Sequence, residues 1–357
     1  MPLTVLSVGY TLAPVSENAV GGSEQILSAL DRALVAAGHH SIVVANRGSE
    51  TAGTLVPTLP IPAQITEIDR RRARDLHRQA IERALSQWPV DLIHSHALDF
   101  ADHLPAPGVP TLVTLHLPLD FYRPGSVPMD RPGTYFNCVS ASQRRSFPEF
   151  ARMLPEIENG VPIDQLQGRH ARRNFALALG RICPEKGFEH ALDAARIAET
   201  PLLLAGQVFP YESHQAYFAE EIVPRLGPQA RFLGPVALAR KRRLLNAARC
   251  LLVPSLVPET SSLVAMEAIA CGTPVIAFRA GALTEVVEHG VTGFLVDDFR
   301  EMAEAIQAAA DIDPAQCRAI ARRRFSLERM IAGYFDLYQR MIAEEPQRKT
   351  GSRRSGR

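Results

Sequence analysis

One stretch near the carboxyl end of the chain constrains the fold more than any other. Residues 250–278 pass from a buried apolar segment through a polar turn into a helical pattern over 263–270, and Gly272 ends that pattern before a second apolar segment. A helix that begins where a parallel strand ends presents free backbone N–H groups, which bind anions. Glu259 and Glu267 stand beside this turn, eight residues apart, and carboxylates accept hydrogen bonds from hydroxyl groups. The stretch predicts a strand–turn–helix–strand unit that binds a phosphorylated polyhydroxy ligand, although two glutamates alone would also fit a solvated helix face.

The rest of the chain alternates short apolar segments with helical patterns in the same way. A length of 357 residues is long for one domain, so we expect two α/β domains, each with a doubly wound sheet, and a cleft between them. The polar segment 164–174 predicts the linker between the domains. Strands are predicted at 3–9, 41–45, 91–96, 111–116, 136–140, 175–181, 201–206, 230–234, 251–254 and 274–278, and helices after residue 24, at 66–88, after residue 187, and at 244–248, 263–270 and 325–341.

Composition and charge argue against several classes of protein. A formal net charge of +1 gives no support for a nucleic-acid binder. No apolar run approaches the length of about 18 residues that a membrane span needs, so we expect no transmembrane segment. The five cysteines are odd in number and scattered in apolar contexts, which favours reduced thiols in a cytoplasmic protein. Four arginines within 70–74 fit a basic patch that contacts anionic lipid or a polyanionic acceptor. They fit a solvated helix face as well.

Polar or small residues follow several of the predicted strands. Two glycines at 21–22 precede a helix, where they form either a phosphate-binding loop or a tight turn. Arg181 and Lys186 flank a turn between a strand and a helix, where two cations can hold a pyrophosphate or can simply cap solvent-facing turns. His96 and His116 end two strands, and side chains at the carboxyl ends of parallel strands point into the ligand crevice.

The segment that follows Glu259 carries a family signature. Glu259 and Glu267 are followed by AIACGTPVIA at 268–277, by Gly281 and by GVTGFLV at 290–296. This segment resembles the carboxyl-terminal signature of the retaining GT-B glycosyltransferases of family 4, also described as glycosyl transferases group 1. The resemblance implies a GT-B fold, in which two Rossmann-like doubly wound domains face each other across a cleft.

Other parts of the chain resemble the same family. They are the Gly-Gly-x-Glu loop at 21–24, the Asn-Gly-Val turn at 159–161 and the GR-x4-KG pattern at 180–187. The resemblance extends over about residues 3–340. One departure stands beside the signature, because the family usually has Phe-Gly where this chain has Ser261 and Ser262.

The resemblance implies a role for each matching residue. The first domain, 1–165, would hold the acceptor and receive a crossing helix at about 327–344, while the second domain, 170–325, would bind the donor. The composition of 345–357, which is basic and contains glycine and serine, separately predicts a disordered tail. Arg181 and Lys186 would neutralise the donor diphosphate, Glu267 would bind the ribose hydroxyls and Glu259 the sugar hydroxyls. The implied catalytic residues are His116, Arg181, Lys186 and Glu259, and the implied donor-binding residues are Gly21, Gly22, Gly206, Ser261, Ser262, Leu263 and Glu267.

The implied activity is transfer of a sugar from a nucleotide-sugar donor to a hydroxyl of a sugar, lipid-linked or small-molecule acceptor, with retention of anomeric configuration. No metal and no cofactor are expected, because the two cations serve the leaving diphosphate. The Asp-x-Asp pattern at 311–313 precedes a proline and predicts a turn with a helix cap, not a metal site. A GT-B nucleotide-sugar epimerase, a phosphorylase and a non-catalytic nucleotide-sugar-binding protein are the alternatives, and Ser261 with Ser262 is the feature that most favours the last.

Overall fold

The computed structural model describes residues 2–60, 65–127, 130–168 and 170–351, with side chains up to residue 343. Two compact units make up the chain, Met1–Glu158 with Met330–Arg357, and Asn159–Arg329. The first unit thus ends at Glu158, where the sequence predicted residue 165. The segment 164–174, predicted as a linker, belongs to the second unit, and its first residues are helical.

Six parallel strands in the order β3-β2-β1-β4-β5-β6 form the sheet of the first unit. They are β1 Thr4–Val8, β2 His40–Ala45, β3 Thr54–Pro57, β4 Leu92–Ser95, β5 Thr111–Leu115 and β6 Thr134–Cys138. The helices are α1 Gly22–Ala36, α2 Glu67–Gln87 and α3 Ala141–Ser146. The strand order reverses between β1 and β4, and ligands of doubly wound sheets bind at that point. Strand β3 was not predicted, because it lies in a polar segment that contains prolines.

The sheet of the second unit repeats this topology, in the order β12-β11-β10-β7-β8-β9. Its strands are β7 Ala176–Leu179, β8 Leu202–Ala205, β9 Ala230–Phe232, β10 Cys250–Val253, β11 Val275–Phe278 and β12 Gly293–Val296. Its helices are α4 Ile163–Leu166, α5 Phe188–Ile197, α6 Glu212–Tyr217, α7 Leu238–Ala247, α8 Leu263–Ala270, α9 Leu283–Val286, α10 Phe299–Ala308 and α11 Pro314–Arg324. The order reverses between β7 and β10, so both predicted doubly wound sheets are confirmed.

Helix α8 has the bounds that the sequence predicted, and its two ends differ in how they are closed. Gly272 adopts a left-handed φ of +80°, and the N–H groups of Gly272 and Thr273 donate to the last helical carbonyls. Ser262 is the N-cap residue, but its side chain makes no capping hydrogen bond, contrary to the N-cap chemistry that the serines suggested. The first N–H groups of α8 are therefore not capped by Ser262.

Two other helices are longer than predicted. Helix α7 begins at Leu238, not at residue 244, because its first turns are rich in arginine, which has good helix propensity but hides the apolar period. The last helix, α12, spans Leu327–Gly351. The backbone of 345–351, part of the predicted tail, thus continues this helix, and the remainder of that predicted tail, 352–357, lies outside the described residues.

The sequence predicted reduced cysteines and no transmembrane segment. All five cysteines are buried and none is in a disulfide. Among the helices that the structure describes, none has the length and apolar content needed to cross a membrane.

Candidate active site

The candidate site of the second unit lies where its strand order reverses. The chain leaves β7 at Gly180 and Arg181, and it leaves β10 at Pro254 and Ser255. These two strands are neighbours in the sheet, so the segments that follow them share one edge. The topology thus places Arg181 and Lys186 beside the loop that carries Glu259.

Lys186 and Glu259 form an ion pair at this edge. The ammonium Nζ of Lys186 lies 2.5 Å from Oε1 of Glu259, and the hydroxyl of Ser255 donates to the same oxygen. The side chains of Lys186 and Glu259 are 26% and 10% exposed, so the pair is only partly shielded from solvent. Both ends of the pair can therefore still be reached by a ligand.

The backbone around Lys186 explains its position. Residues Pro184–Lys186 form one turn of 3-10 helix, and Gly187 follows with a left-handed φ of +59°. A Cβ at Gly187 would lie 2.4 Å from the carbonyl oxygen of Pro254, so only glycine allows the turn to approach β10 this closely. The N–H of Leu256 donates to the carbonyl of Glu185 at 2.9 Å and joins the two segments.

Glu259 is held through its own backbone. Its carbonyl accepts from the N–H of Ala282 at 2.7 Å, and it forms an isolated bridge with Gly281. Gly281 has a φ of +57°, and a Cβ there would lie 2.4 Å from the carbonyl oxygen of Glu259. The glycine of the family signature thus has a structural reason in this chain.

Glu267 is the most buried carboxylate of the site. Its Oε1 lies 2.5 Å from Nζ of Lys241 on α7, and its side chain is 4% exposed. Its second oxygen, Oε2, is buried and has no hydrogen-bond partner among the described residues. The sequence reasoning did not assign Lys241, although it is one of only three lysines in a chain whose basic residues are otherwise arginine. The scarcity of lysine was the sequence feature that could have drawn attention to Lys241.

The other predicted donor-side residues lie on the turns that follow β7, β8 and β10. Arg181 is exposed, immediately after Gly180. Gly206 follows β8, and a Cβ there would lie 1.7 Å from the carbonyl oxygen of Gly180, so close backbone approach alone requires glycine at this position. Ser261 Oγ is buried without a hydrogen-bond partner among the described residues, and Leu263 begins α8. Their predicted contacts with a donor stay predictions.

The first unit carries the remaining predicted residues. Gly21 is the N-cap residue of α1 and Gly22 is its first residue. A Cβ at Gly21 would lie 1.8 Å from Oε2 of Glu24, because that carboxylate folds back over the glycine. His116 follows β5 directly, as predicted.

His116 is half-buried, and its imidazole pairs with that of the buried His96. Its Nε2 lies 2.9 Å from Nδ1 of His96, and the two rings are stacked with centroids 5.2 Å apart. Burial lowers the pKa of His116 to about 4, so its imidazole is neutral at pH 7. Nε2 of His96 is buried with no hydrogen-bond partner among the described residues.

A second histidine, His94, closes the network behind this pair. The Thr114 hydroxyl donates to Oδ1 of Asn137 at 2.7 Å, so it has no proton left for His94 and must accept from Nε2–H of that ring, also at 2.7 Å. Nδ1 of His94 then accepts from the hydroxyl of Tyr338 at 2.7 Å. The bond from Thr114 to Asn137 thereby fixes the tautomer of His94, and Tyr334 and Tyr338 of the last helix are fully buried.

Comparison with known families shows which family the chain resembles over most of its length. The model of Glycosyltransferase Family 4 matches residues 20–164, and the model of Glycosyl transferases group 1 matches residues 173–311. The chain belongs to glycosyltransferase family 4. Together the two matched segments contain every residue to which the sequence assigned a role in the site.

Curated relatives of the chain include several D-inositol 3-phosphate glycosyltransferases. The chain is 35% identical to the one from Nocardioides sp. over 192 residues, which are 47% of this chain and 42% of the relative. It is 39% identical to the one from Rhodococcus opacus over 189 residues, 48% of this chain and 42% of the relative. The matched segments span less than half the length of these relatives.

Solved structures of low sequence identity share the fold of the chain. A glycosyltransferase involved in avilamycin A biosynthesis superposes with a TM-score of 0.71 at 24% identity, covering 96% of this chain and 98% of the other. Sucrose-phosphate synthase from Thermosynechococcus elongatus gives 0.78 at 20% identity, covering 96% and 100%. HepE from Anabaena, solved with UDP and glucose, gives 0.74 at 18% identity, covering 94% and 99%. The fold is therefore GT-B, with two Rossmann-like units.

Among the described residues, one side-chain cluster has metal-ligand character. Cys183, Glu185 and His214 each offer one ligand atom, and these atoms lie within 4.8 Å of one another. Sulfur, carboxylate and imidazole suit Zn²⁺ in type, but zinc binds the thiolate. Burial raises the pKa of the Cys183 thiol to about 11, and the neighbouring Arg181 adds positive charge where a cation would sit. The cluster therefore fits a metal poorly.

The Asp-x-Asp pattern serves the backbone. Oδ1 of Asp313 accepts from the N–H of Ala315 at 2.8 Å, and Asp313 is the N-cap residue of α11 with Pro314 in its first turn. The predicted role as a helix cap is confirmed.

Proposed function

We propose that this protein transfers a sugar from a nucleotide-sugar donor to an acceptor hydroxyl, with retention of anomeric configuration and without a metal ion. The observation that carries the proposal is the pairing of Lys186 with Glu259 at the edge where the second sheet reverses its strand order. A cation and a carboxylate held side by side suit a ligand whose phosphate and sugar hydroxyls are adjacent, as they are in a sugar diphosphate.

The second unit binds the donor in this proposal. Arg181 and Lys186 contact the diphosphate, and the buried Glu267 accepts a hydrogen bond from the ribose. Glu259 accepts hydrogen bonds from hydroxyls of the transferred sugar. The uncapped N-terminus of α8, with Ser261, Ser262 and Leu263, lies at the same loop and offers N–H groups to a phosphate. Gly206 allows β8 to end close to Gly180, beside the base.

The chemical step needs stabilisation of two charges. The bond between the anomeric carbon and the phosphate oxygen breaks, and the acceptor oxygen forms the new bond on the same face of the sugar. Arg181 and Lys186 stabilise the departing diphosphate, whose oxygen takes the proton of the acceptor hydroxyl. No cofactor takes part. In the first unit the loop at Gly21 and Gly22 and the neutral imidazole of His116 contribute to sugar and acceptor binding.

The relatives suggest which substrates to test first. Several are D-inositol 3-phosphate glycosyltransferases, and one structural neighbour was solved with UDP and glucose. We therefore propose a phosphorylated polyol as one acceptor class beside sugars and lipid-linked sugars, and UDP-sugars as the first donor class. The five buried, unpaired cysteines favour action in the cytoplasm.

Thermal stabilisation by UDP, GDP, ADP and their sugars tests the donor site directly. We expect one nucleotide to raise the Tm, and the increase to be lost in Arg181→Ala and retained in the matched exposed variant Arg243→Ala. Transfer to an acceptor panel with the selected donor follows, and the anomeric proton signal of the product reports retention or inversion. A protein that no nucleotide stabilises would overturn the proposal.

The alternatives give different products in the same assay. An epimerase would release an isomerised sugar and free nucleotide without an acceptor, and a phosphorylase would require inorganic phosphate. A non-catalytic binding protein, favoured by Ser261 and Ser262, would show the Tm shift without turnover of any donor and acceptor pair.

A further inference from the structure

Lys241 and Glu267 form a charge pair that the proposed reaction does not yet explain. Their charged atoms lie 2.5 Å apart, and their side chains are 16% and 4% exposed. A carboxylate this deeply buried is costly unless it is paired and hydrogen-bonded. Lys241 provides that pairing, but for one oxygen only.

The second oxygen of Glu267 has a different environment. Oε2 is buried and has no donor among the described residues, although an ionised carboxylate accepts through both oxygens. The hydroxyl Oγ of Ser261, six residues earlier at the entrance to α8, is also buried without a partner among those residues. Two buried polar groups without a partner among the described residues, one within α8 and one just before it, indicate that a ligand completes the hydrogen bonding here.

The backbone of Lys241 is held in place by the hydrogen bonds of helix α7. Helix α7 is tied to α4 by Asn246, whose Nδ2 donates to the carbonyl of Leu166 at 2.8 Å. The N–H of Lys241 donates to the carbonyl of Ala237 at 2.9 Å, so the residue lies in a regular turn. The ammonium of Lys241 binds Oε1 of Glu267, and in this orientation of the carboxylate Oε2 is left for another donor.

We propose that Lys241 is a positioning residue that holds Glu267 so that Oε2 accepts a hydrogen bond from a ribose hydroxyl of the donor nucleotide. Lys241 thereby makes the site select ribonucleotides over nucleotides that lack the 2′ and 3′ hydroxyls. This inference rests on the proposed function, because it assumes that the ligand is a nucleotide. Lys241 itself contacts Glu267 and not the ligand.

Binding of paired ligands tests this role. The probes are UDP, GDP and ADP and the 2′,3′-dideoxy form of each, measured by calorimetric titration. We expect wild type to bind its preferred nucleotide about tenfold to a hundredfold more tightly than the dideoxy form, since hydrogen bonds to charged groups are the strong ones. In Lys241→Met the preference should fall to about twofold, with weaker binding of the ribonucleotide and unchanged binding of the dideoxy form.

Two further variants separate positioning from folding. Lys241→Arg keeps the charge and should restore most of the preference. Arg243→Met removes an exposed cation from the same helix and should leave the preference at the wild-type value. In the transfer reaction, Lys241→Met should raise KM for the donor and leave kcat nearly unchanged, because the ribose contact is the same in the ground state and the transition state.

The outcomes distinguish this inference from the proposed function. If wild type binds no nucleotide, both are overturned. Two other results would overturn only the role of Lys241, provided that wild type binds a nucleotide. In the first, Lys241→Met keeps the full preference for the ribonucleotide. In the second, Lys241→Met loses affinity for the ribonucleotide and the dideoxy form equally. If Lys241→Met does not fold, the comparison of Lys241→Arg with Glu267→Gln decides, since the first should keep the preference and the second should lose it.

Discussion

Oε1 of Glu259 accepts from Nζ of Lys186 at 2.5 Å and from the hydroxyl of Ser255, so one carboxylate oxygen joins the two segments that leave β7 and β10. The two residues of the ion pair are 73 positions apart in the chain. In the proposed reaction the lysine faces the diphosphate and the glutamate faces the sugar. Their contact therefore sets the distance between the two parts of the donor.

Replacement of Lys186 tests that relationship. Lys186→Ala should lower kcat/KM by about a hundredfold or more, because it removes a charge that stabilises the leaving diphosphate and releases Glu259. Ser255→Ala removes only a neutral donor to the same carboxylate, and it should cost about tenfold or less. Steady-state kinetics with the selected donor measures both. Equal losses in the two variants would contradict the role of Lys186 at the diphosphate.

Substitution of two glycines separates backbone strain from site geometry. Gly281 and Gly290 both have left-handed φ values, +57° and +77°, but only a Cβ at Gly281 meets a neighbour, the backbone of Glu259. Each alanine variant should lose about 1 kcal/mol through the unfavourable φ. Gly281→Ala should lose at least about 1 kcal/mol more and should also lower kcat/KM, because the loop of Glu259 must shift. Denaturant unfolding and kinetics of both variants check this, and equal behaviour would contradict it.

Protonation of buried histidines should destabilise the first unit in acid. Burial lowers the pKa of His77, His103 and His116 to about 4 from the ordinary 6.5. The unfolded chain therefore binds protons at a higher pH than the folded chain does. The free energy of unfolding should be independent of these groups above pH 6.5 and should fall between pH 6.5 and 4, by about 1.4 kcal/mol per pH unit for each histidine.

The pH dependence of the unfolding free energy can be measured through the single tryptophan. Trp88 lies in the first unit and reports its unfolding by fluorescence. His77 packs against His103 and lies near the buried carboxyl of Asp99, whose pKa burial raises. His77→Gln should make the decline shallower by about 1.4 kcal/mol per pH unit, whereas replacement of the exposed His40 should not change it. A steep decline that survives in His77→Gln would rule out this source.

Replacement of His116 should separate catalysis from nucleotide binding. His116→Ala should lower kcat by about a hundredfold, because the positioned imidazole is lost from the first unit. The nucleoside diphosphate is bound by the second unit in our proposal, so its Kd should change by less than about twofold. Calorimetric titration beside kinetics measures the two effects. A large loss of nucleotide affinity would contradict the assignment of the diphosphate to the second unit.

Metal removal tests the proposed independence from metal ions. Activity should be unchanged after EDTA treatment and after addition of Zn²⁺ or Mg²⁺. Cys183→Ser removes the zinc-type ligand of the one cluster in the described residues that brings three such groups together, and it should retain activity within about threefold. Activity lost with EDTA and restored by a metal in wild type, but not in Cys183→Ser, would show that the cluster binds a functional ion.

Local sequence predicted most of the secondary structure. The bounds of α8, the glycine that ends it, the cap at Asp313 and the two strands just before His96 and His116 follow from apolar patterning and from turn residues. Strand β3 and the first turns of α7 were not predicted from the sequence, because neither segment shows clear apolar patterning. Prolines in one and arginines in the other hide the apolar pattern, and packing against neighbours decides their structure.

The sequence by itself determined that the chain forms two doubly wound α/β units, and it determined which turns carry cations, carboxylates and histidines. Only the tertiary structure decided which of these side chains meet. Lys241 pairs with Glu267 across 26 positions and His96 with His116 across 20, and no local pattern records either contact. The physical reason is that strand order brings distant turns to one edge of a sheet, and burial then makes each charged or polar group take whichever partner that edge supplies.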